Sequence, residues 1–355
     1  MSFILFILII GILVIIHEAG HMVIARLNGI RVIEFAVGMG PKLVGFKRGE
    51  TVYTLRLLPI GGACIFDGED GTAKQDEEGN DILPDEHSFQ NAKVGARIAT
   101  VLAGPVANFI LAFILAIFLV QFSKTDIPLL TKIEADTPAA KAGLQEGDLI
   151  VEMNGENIHL FRQVSVLSQL GYGKPIDLVV ERDGEEISYH IIPEFNEEEN
   201  RYLMGIYGGE YVQMHGFDVV KYAFYEVGFN ASSIYKSLLS MVSGQFNKKD
   251  VAGVVGIANI IDDTYEAVKP AGIIAIVLTM TNLALMFSVN LGILNLIPFP
   301  ALDGGRLIFL LYELVTRKRI PPEKEGIVNM IGFLLLMILM IVLFFNDLNN
   351  FVFNK

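Results

Sequence analysis

Apolar residues collect in four stretches, about Ser2–Ala25, Val94–Phe122, Gly272–Ile297 and Ile327–Phe345. Each reaches the roughly 20 residues that a helix needs to cross a bilayer. Between the first two, residues 31–66 alternate apolar and polar around Gly38, Gly40, Pro41 and Gly61-Gly62, with Val52, Thr54 and Arg56 interleaving Tyr53, Leu55 and Leu57. That period of two predicts a β-hairpin region beside the first span. Asp67–Glu86 is acidic and reads as a solvated loop. Farther on, Ile176, Leu178 and Val180 alternate up to an Asp183-Gly184 turn, and Ile187, Tyr189 and Ile191 alternate back, which predicts a hairpin. Asn154-Gly155 marks another turn, and Leu160–Leu170 has helical spacing. Asp218–Ser243 has the spacing of an amphipathic helix with Asp218 as its N-cap. Such a helix can lie on a membrane surface or pack on the preceding domain, and the pattern leaves both open.

Composition fits this picture. The 355 residues are 52% hydrophobic and 19% charged, with a mean hydropathy of +0.49. Those values exclude a purely soluble enzyme, a disordered chain and a disulfide-stapled module. The net charge of −13 argues against a nucleic-acid partner. A single cysteine, Cys64, permits no internal disulfide. Residues 124–270 hold 12 Lys/Arg and 23 Asp/Glu, so −11 of the charge belongs to this one region.

Charge also orients the spans. The first has no basic leader or A-x-A-like site and carries His17, Glu18 and His21, so it reads as a retained span. Arg26, Arg31, Lys42, Lys47, Arg48 and Arg56 follow it; Arg306, Arg317, Lys318, Arg319 and Lys324 lie between the third and fourth spans. The positive-inside rule then places both loops in the cytoplasm. The termini and residues 123–271 face outward.

The chemistry lies in the first and third spans. His17-Glu18-Ala19-Gly20-His21 is an HExxH motif, whose histidines share one helix face and can bind one zinc ion, with Glu18 beside them as a base. His17 lies 14 residues from Phe3, about 21 Å along a helix, which puts the pair inside the membrane toward the cytoplasmic side. Ionisable groups there mark function. A third ligand is expected from Asn295–Gly305, which reaches the same depth and is broken by Pro298 and Pro300. Asp303 is the candidate, although an aspartate there could also cap the following helix.

Two resemblances bear on these motifs. TPAAKAGLQEGDLI followed by MNGENI, within about 125–195, resembles a PDZ domain of the kind attached to bacterial membrane proteases; a small packing domain without ligand is the alternative. HEAGH together with NLIPFPALDG closely resembles the two signatures of the site-2 protease family of intramembrane zinc metalloproteases, and Gly38–Pro41 and Gly104-Pro105-Val106-Ala107-Asn108 look like further family features. The similarity covers nearly the whole chain and includes the PDZ position of the bacterial regulator-of-sigma branch. It implies one zinc ion per chain held by His17, His21 and Asp303, Glu18 as general base, and Asn295 near the reacting peptide. Gly253-Val254-Val255-Gly256 departs from the pattern, since many relatives have a proline in that loop. Cys64 is a remote candidate for metal contact.

The expected fold is therefore a polytopic α-helical membrane protein with four transmembrane helices, a membrane-associated β-hairpin region and an inserted extracytoplasmic PDZ-like α+β domain. The expected parts are a first membrane half (1–122), the PDZ-like domain (123–205), amphipathic linker helices (206–271) and a second membrane half (272–355). The resemblance implies a bacterial cell membrane, a lipid bilayer around the spans, a single-span membrane protein as substrate and a peptide partner for the PDZ-like groove. A divalent-metal transporter or a non-catalytic scaffold would be the rivals. A transporter has no need of Glu18 between its ligands.

Overall fold

The computed structural model describes residues 2–69, 74–75, 81–82, 85–197, 199, 201–243 and 253–349. Most of the acidic run between Asp67 and Glu86 lies outside them. The chain divides into two compact units, one of residues 1–115 and 246–355, the other of residues 116–245.

The first unit opens with α1 (Ser2–Leu27), followed by β1 (Val32–Arg48) and β2 (Thr51–Phe66). The hairpin expected from the sequence is more elaborate. Residues 34–37 pair antiparallel with residues 62–65, and also lie beside 52–55 with both numbers rising; residues 44–48 pair antiparallel with 51–55. Four strand segments therefore lie side by side in the order 62–65, 34–37, 52–55, 44–48. Pro41 and the positive φ of Gly38 and Gly40 break β1 in the middle and let it fold back on the sheet. A period-two pattern reports that a residue is in a strand, not how often the strand turns. Beyond a two-residue pair, β3 (Lys74–Gln75) with β4 (Asp81–Ile82), comes α2 (Val94–Phe122).

The second unit is a six-stranded sheet with two short helices on it and one long one. β5 (Thr125–Ile133), α3 (Pro138–Ala142), β6 (Leu149–Met153), β7 (Glu156–Asn157), α4 (Phe161–Leu170), β8 (Ile176–Arg182) and β9 (Glu185–Ile191) follow in order. The small pair β10 (Glu194–Asn196) and β11 (Arg201–Leu203) precedes β12 (Ile206–Val212), which joins the sheet beside β5. The sheet thus continues past residue 205 into what the pattern assigned to linker helices. Gly208 and Gly209 interrupt the apolar alternation that would have revealed this strand. Local chemistry sets the helix ends: Thr137 caps α3 and Gly143 ends it at φ +92°. Gln163 accepts hydrogen bonds from the backbone N–H groups of His159 and Leu160 ahead of α4. Leu130, Ile150, Met153, Val164, Ile176, Leu178, Val180 and Ile191 form the core. In the amphipathic helix α5 (Phe217–Val242) Gly216 is the N-cap, while the expected cap Asp218 sits inside the first turn, where its charge still favours the helix dipole.

The chain then returns to the first unit with α6 (Val254–Val268), α7 (Ile273–Leu296), α8 (Asp303–Thr316) and α9 (Pro322–Asp347). The stretch from Gly253 to Gly256 is the start of a helix rather than a loop. The buried carboxylate of Asp347 caps it, accepting from Gly253 N–H at 3.1 Å and Gly256 N–H at 2.8 Å. Among the described residues, four helices are long and apolar enough to cross a membrane: Ile4–Leu27, Val94–Phe122, Ile273–Leu296 and Glu323–Asp347. Phe6, Ile9 and Leu13 of α1 pack with Met280, Leu283 and Phe287 of α7, which fixes the first helix against the third.

Candidate metal centre

His17 and His21 lie one turn apart on α1, and both are buried. Asp303, the first residue of α8, reaches them from the far end of the sequence. Its Oδ2 lies 3.2 Å from His17 Nε2 and 3.4 Å from His21 Nε2. The ligand atoms of the three residues all lie within 4.8 Å of one another. No other three-residue cluster of His, Cys, Asp or Glu suited to a metal occurs among the described residues.

The approach of Asp303 depends on an irregular backbone. After α7 ends at Leu296, the segment through Pro298 and Pro300 doubles back, with Ala301 at φ +74°. A side chain at Gly304 would come within 2.2 Å of the Ile297 carbonyl oxygen, and one at Gly305 within 2.3 Å of that of Phe299. Only glycine lets α8 start this close to the turn that precedes it.

The second helix supplies the surroundings. His21 Nδ1 lies 2.8 Å from the Thr100 carbonyl oxygen, which can only accept. Nδ1 therefore carries the hydrogen, which leaves Nε2 as the ring atom available to a metal. His17 Nε2 and His21 Nε2 lie 3.2 Å apart, and Asp303 Oδ2 beside them is buried without a hydrogen-bond partner among the described residues, so a cation held by all three would satisfy every one of these atoms. Two imidazoles and one carboxylate, with further room in the cavity, fit a catalytic zinc site of three protein ligands and one exchangeable position. Asn108, fully buried in α2, places its amide 3.1 Å from His17 Nδ1. Gly104 faces the ligands themselves: a β-carbon there would lie 2.2 Å from His21 Nε2.

A cavity of about 320 Å³ opens over this cluster, and Glu18, Asn295, Gly62, Cys64, Glu69 and Arg306 all line it. The five site residues expected from sequence thus surround one space. The Cys64 backbone lies beside the Glu18 carboxylate. Cys64 lines the cavity but is not among the clustered ligand atoms. Burial and the nearby Glu18 and Glu69 carboxylates push its thiol pKa upward, so it stays protonated. Arg306 and Glu69 form an ion pair in the cavity wall.

Sequence reasoning missed Thr100, Glu69 and Arg306, and gave Gly104 and Asn108 no role. An amide in the apolar middle of a span was the available signal for Asn108. Thr100 contributes a backbone carbonyl, for which residue type carries no signal.

A model of the family described as Peptidase family M50 matches residues 5–339. The chain is 34% identical to the zinc metalloprotease RasP of Bacillus licheniformis, over 97% of each chain. It is 32% identical to the regulator of sigma-W protease RasP of Bacillus subtilis, again over 97% of each. Among solved structures, the PDZ domain of an SdrC-like protein from Listeria innocua aligns with 25% of this chain and 100% of its own, at 18% identity and a TM-score of 0.22.

Proposed function

This chain belongs to peptidase family M50 and is an intramembrane zinc metalloprotease, and from that premise we propose how its residues divide the work. His17, His21 and Asp303 hold one zinc ion, and Glu18 is the general base. The observation that carries this reading is the convergence of the three ligand atoms within 4.8 Å in a cavity that Glu18 also lines. Zinc, when bound, polarises a scissile carbonyl and lowers the pKa of water. Glu18 takes a proton from the attacking water and delivers it to the leaving amine. Asn295 lines the same cavity and donates to the peptide carbonyl as charge develops on it.

The substrate is a single-span membrane protein that unwinds locally, because an intact helix hides its carbonyls within its own hydrogen bonds. Residues 62–65 form an outer segment of the first sheet, and Gly62 comes so close to α1 that a β-carbon there would lie 2.9 Å from Glu18 Cγ. An unwound stretch can pair with that edge and present its backbone to the base. The relative named for regulation of sigma-W suggests a membrane-tethered anti-sigma factor as the substrate class, with signal-peptide remnants as a second source. The positive-inside bias supports a cytoplasmic location for residues 31–66 and 301–326, an extracytoplasmic PDZ-like domain and an active site toward the cytoplasmic side of a bacterial cell membrane. The PDZ-like groove, between α4 and β12, takes an extended peptide.

The ligand assignment is tested by metal analysis of His17→Ala, His21→Ala and Asp303→Ala variants purified in detergent. Each is expected to lose stoichiometric zinc. Full occupancy in any of them removes that residue from the set.

A further inference from the structure

We infer that Asn108 is a positioning residue that selects the tautomer of His17, accepting from its Nδ1–H through Oδ1 when the metal is held. The inference rests on the proposed ligand set and adds a residue to it. Asn108 is fully buried on α2, and its backbone carbonyl accepts from Ser288 Oγ of α7 at 2.8 Å, so its place in the bundle is fixed. Its side-chain amide lies 3.1 Å from His17 Nδ1.

The two histidines differ in one respect. His21 faces a carbonyl oxygen, an obligatory acceptor, so a hydrogen stays on Nδ1 and Nε2 is the atom left to ligate. His17 faces a carboxamide, which offers either a donor or an acceptor. With Nδ2 toward the ring, Nδ1 must accept and the hydrogen moves to Nε2, the atom 3.2 Å from Asp303 Oδ2. In that state Nε2 carries the hydrogen and cannot bind a metal. With the amide turned over, Oδ1 accepts from Nδ1–H and Nε2 presents its lone pair to the ion. The turn exchanges two atoms of nearly equal size and displaces nothing else.

The far end of the amide, Oδ1 as placed, is buried without a hydrogen-bond partner among the described residues. No partner there fixes which end of the amide faces the ring. Metal binding at Nε2 and amide orientation become one linked equilibrium. Removing the amide leaves Nδ1–H buried in an apolar span without an acceptor, which disfavours the ligating tautomer.

The test measures zinc affinity of the full chain in detergent by chelator competition, with thermal unfolding of the zinc-free protein alongside. Asn108→Leu, similar in size and without polar atoms, is expected to bind zinc roughly ten- to a hundredfold more weakly. Asn108→Asp, whose carboxylate can only accept, is expected to bind at least as tightly as the parent. The zinc-free Asn108→Leu protein is expected to unfold no earlier than the parent. Parental affinity in Asn108→Leu, together with loss in His17→Ala, overturns the inference and leaves the ligand set standing. Equal weakening in the Leu and Asp variants also overturns it, because packing alone would then be at stake. Parental affinity in His17→Ala instead removes the ligand set itself. If Asn108→Leu does not fold, Asn108→Ala takes its place against Asn108→Asp, with the same readings.

Discussion

Arg97 grips Glu313 in a two-pronged ion pair, Nη1 to Oε2 at 3.0 Å and Nη2 to Oε1 at 2.5 Å. Arg97 stands in the first turns of α2, the helix that lines His17 and His21; Glu313 stands on α8, the helix that begins at Asp303. The pair therefore ties α8, which carries Asp303, to the helix that lines the two histidines. Removing one partner leaves a buried charge unmatched, which typically costs about 3–5 kcal/mol. Glu313→Ala should unfold at lower temperature and bind zinc more weakly, whereas the double variant Arg97→Met, Glu313→Leu should recover much of the lost stability. Thermal unfolding in detergent, with and without zinc, reads both. Parental stability in Glu313→Ala would show that the pair has no such role.

Gly104 carries a steric prediction free of polar changes. The β-carbon of an alanine would fall 2.2 Å from His21 Nε2 and 2.8 Å from His17 Cε1, so both rings must shift. Gly104→Ala should lower zinc affinity by at least about tenfold, equivalent to ~1.4 kcal/mol. Helix propensity alone would make the same change stabilising. Chelator competition separates the two effects: unaltered affinity in a stabilised protein would mean that the rings have more freedom than the structure gives them.

The second unit should have an acid-sensitive anchor at Asp148. Burial alone would raise this carboxyl's pKa. The Arg182 guanidinium and the Gln145 N–H outweigh burial and hold it below the usual carboxylate range. A group with a depressed folded pKa contributes stability above its unfolded pKa, near 4, and loses it as pH falls through the folded value. Scanning calorimetry of the full chain should therefore show the sheet's transition falling as pH drops below about 4. Asp148→Asn should melt earlier at pH 7 and have a shallower acid limb. A variant with the parent's acid limb would assign the acid sensitivity to other groups.

How much of this was legible in the chain depends on range. The four long helices follow from uninterrupted apolar runs, a signal that needs no knowledge of partners. The β8–β9 hairpin follows from Asp183-Gly184, whose positive φ values, +54° and +82°, are those the turn chemistry demands. His17, Glu18 and His21 were readable because their spacing on one helix is local. Asp303 could be matched to them only through its motif and its expected depth, since it stands 282 positions after His21. What stayed hidden is contact made by groups without a pattern. The Thr100 carbonyl, the Glu69–Arg306 pair and the Arg97–Glu313 pair join residues far apart in sequence, and none carries a periodic signal. The double pass of β1 and β2 through the sheet was hidden for the same reason, because alternation is preserved whichever neighbour a strand takes.

The most direct test of the account is Glu18→Gln in proteoliposomes with a labelled single-span membrane protein, measuring zinc content and cleavage on the same preparation. The account predicts one zinc ion retained per chain and cleavage reduced by about 10²–10⁴-fold, the usual range for losing a general base. Parental cleavage by a Glu18→Gln protein that keeps its zinc would contradict it.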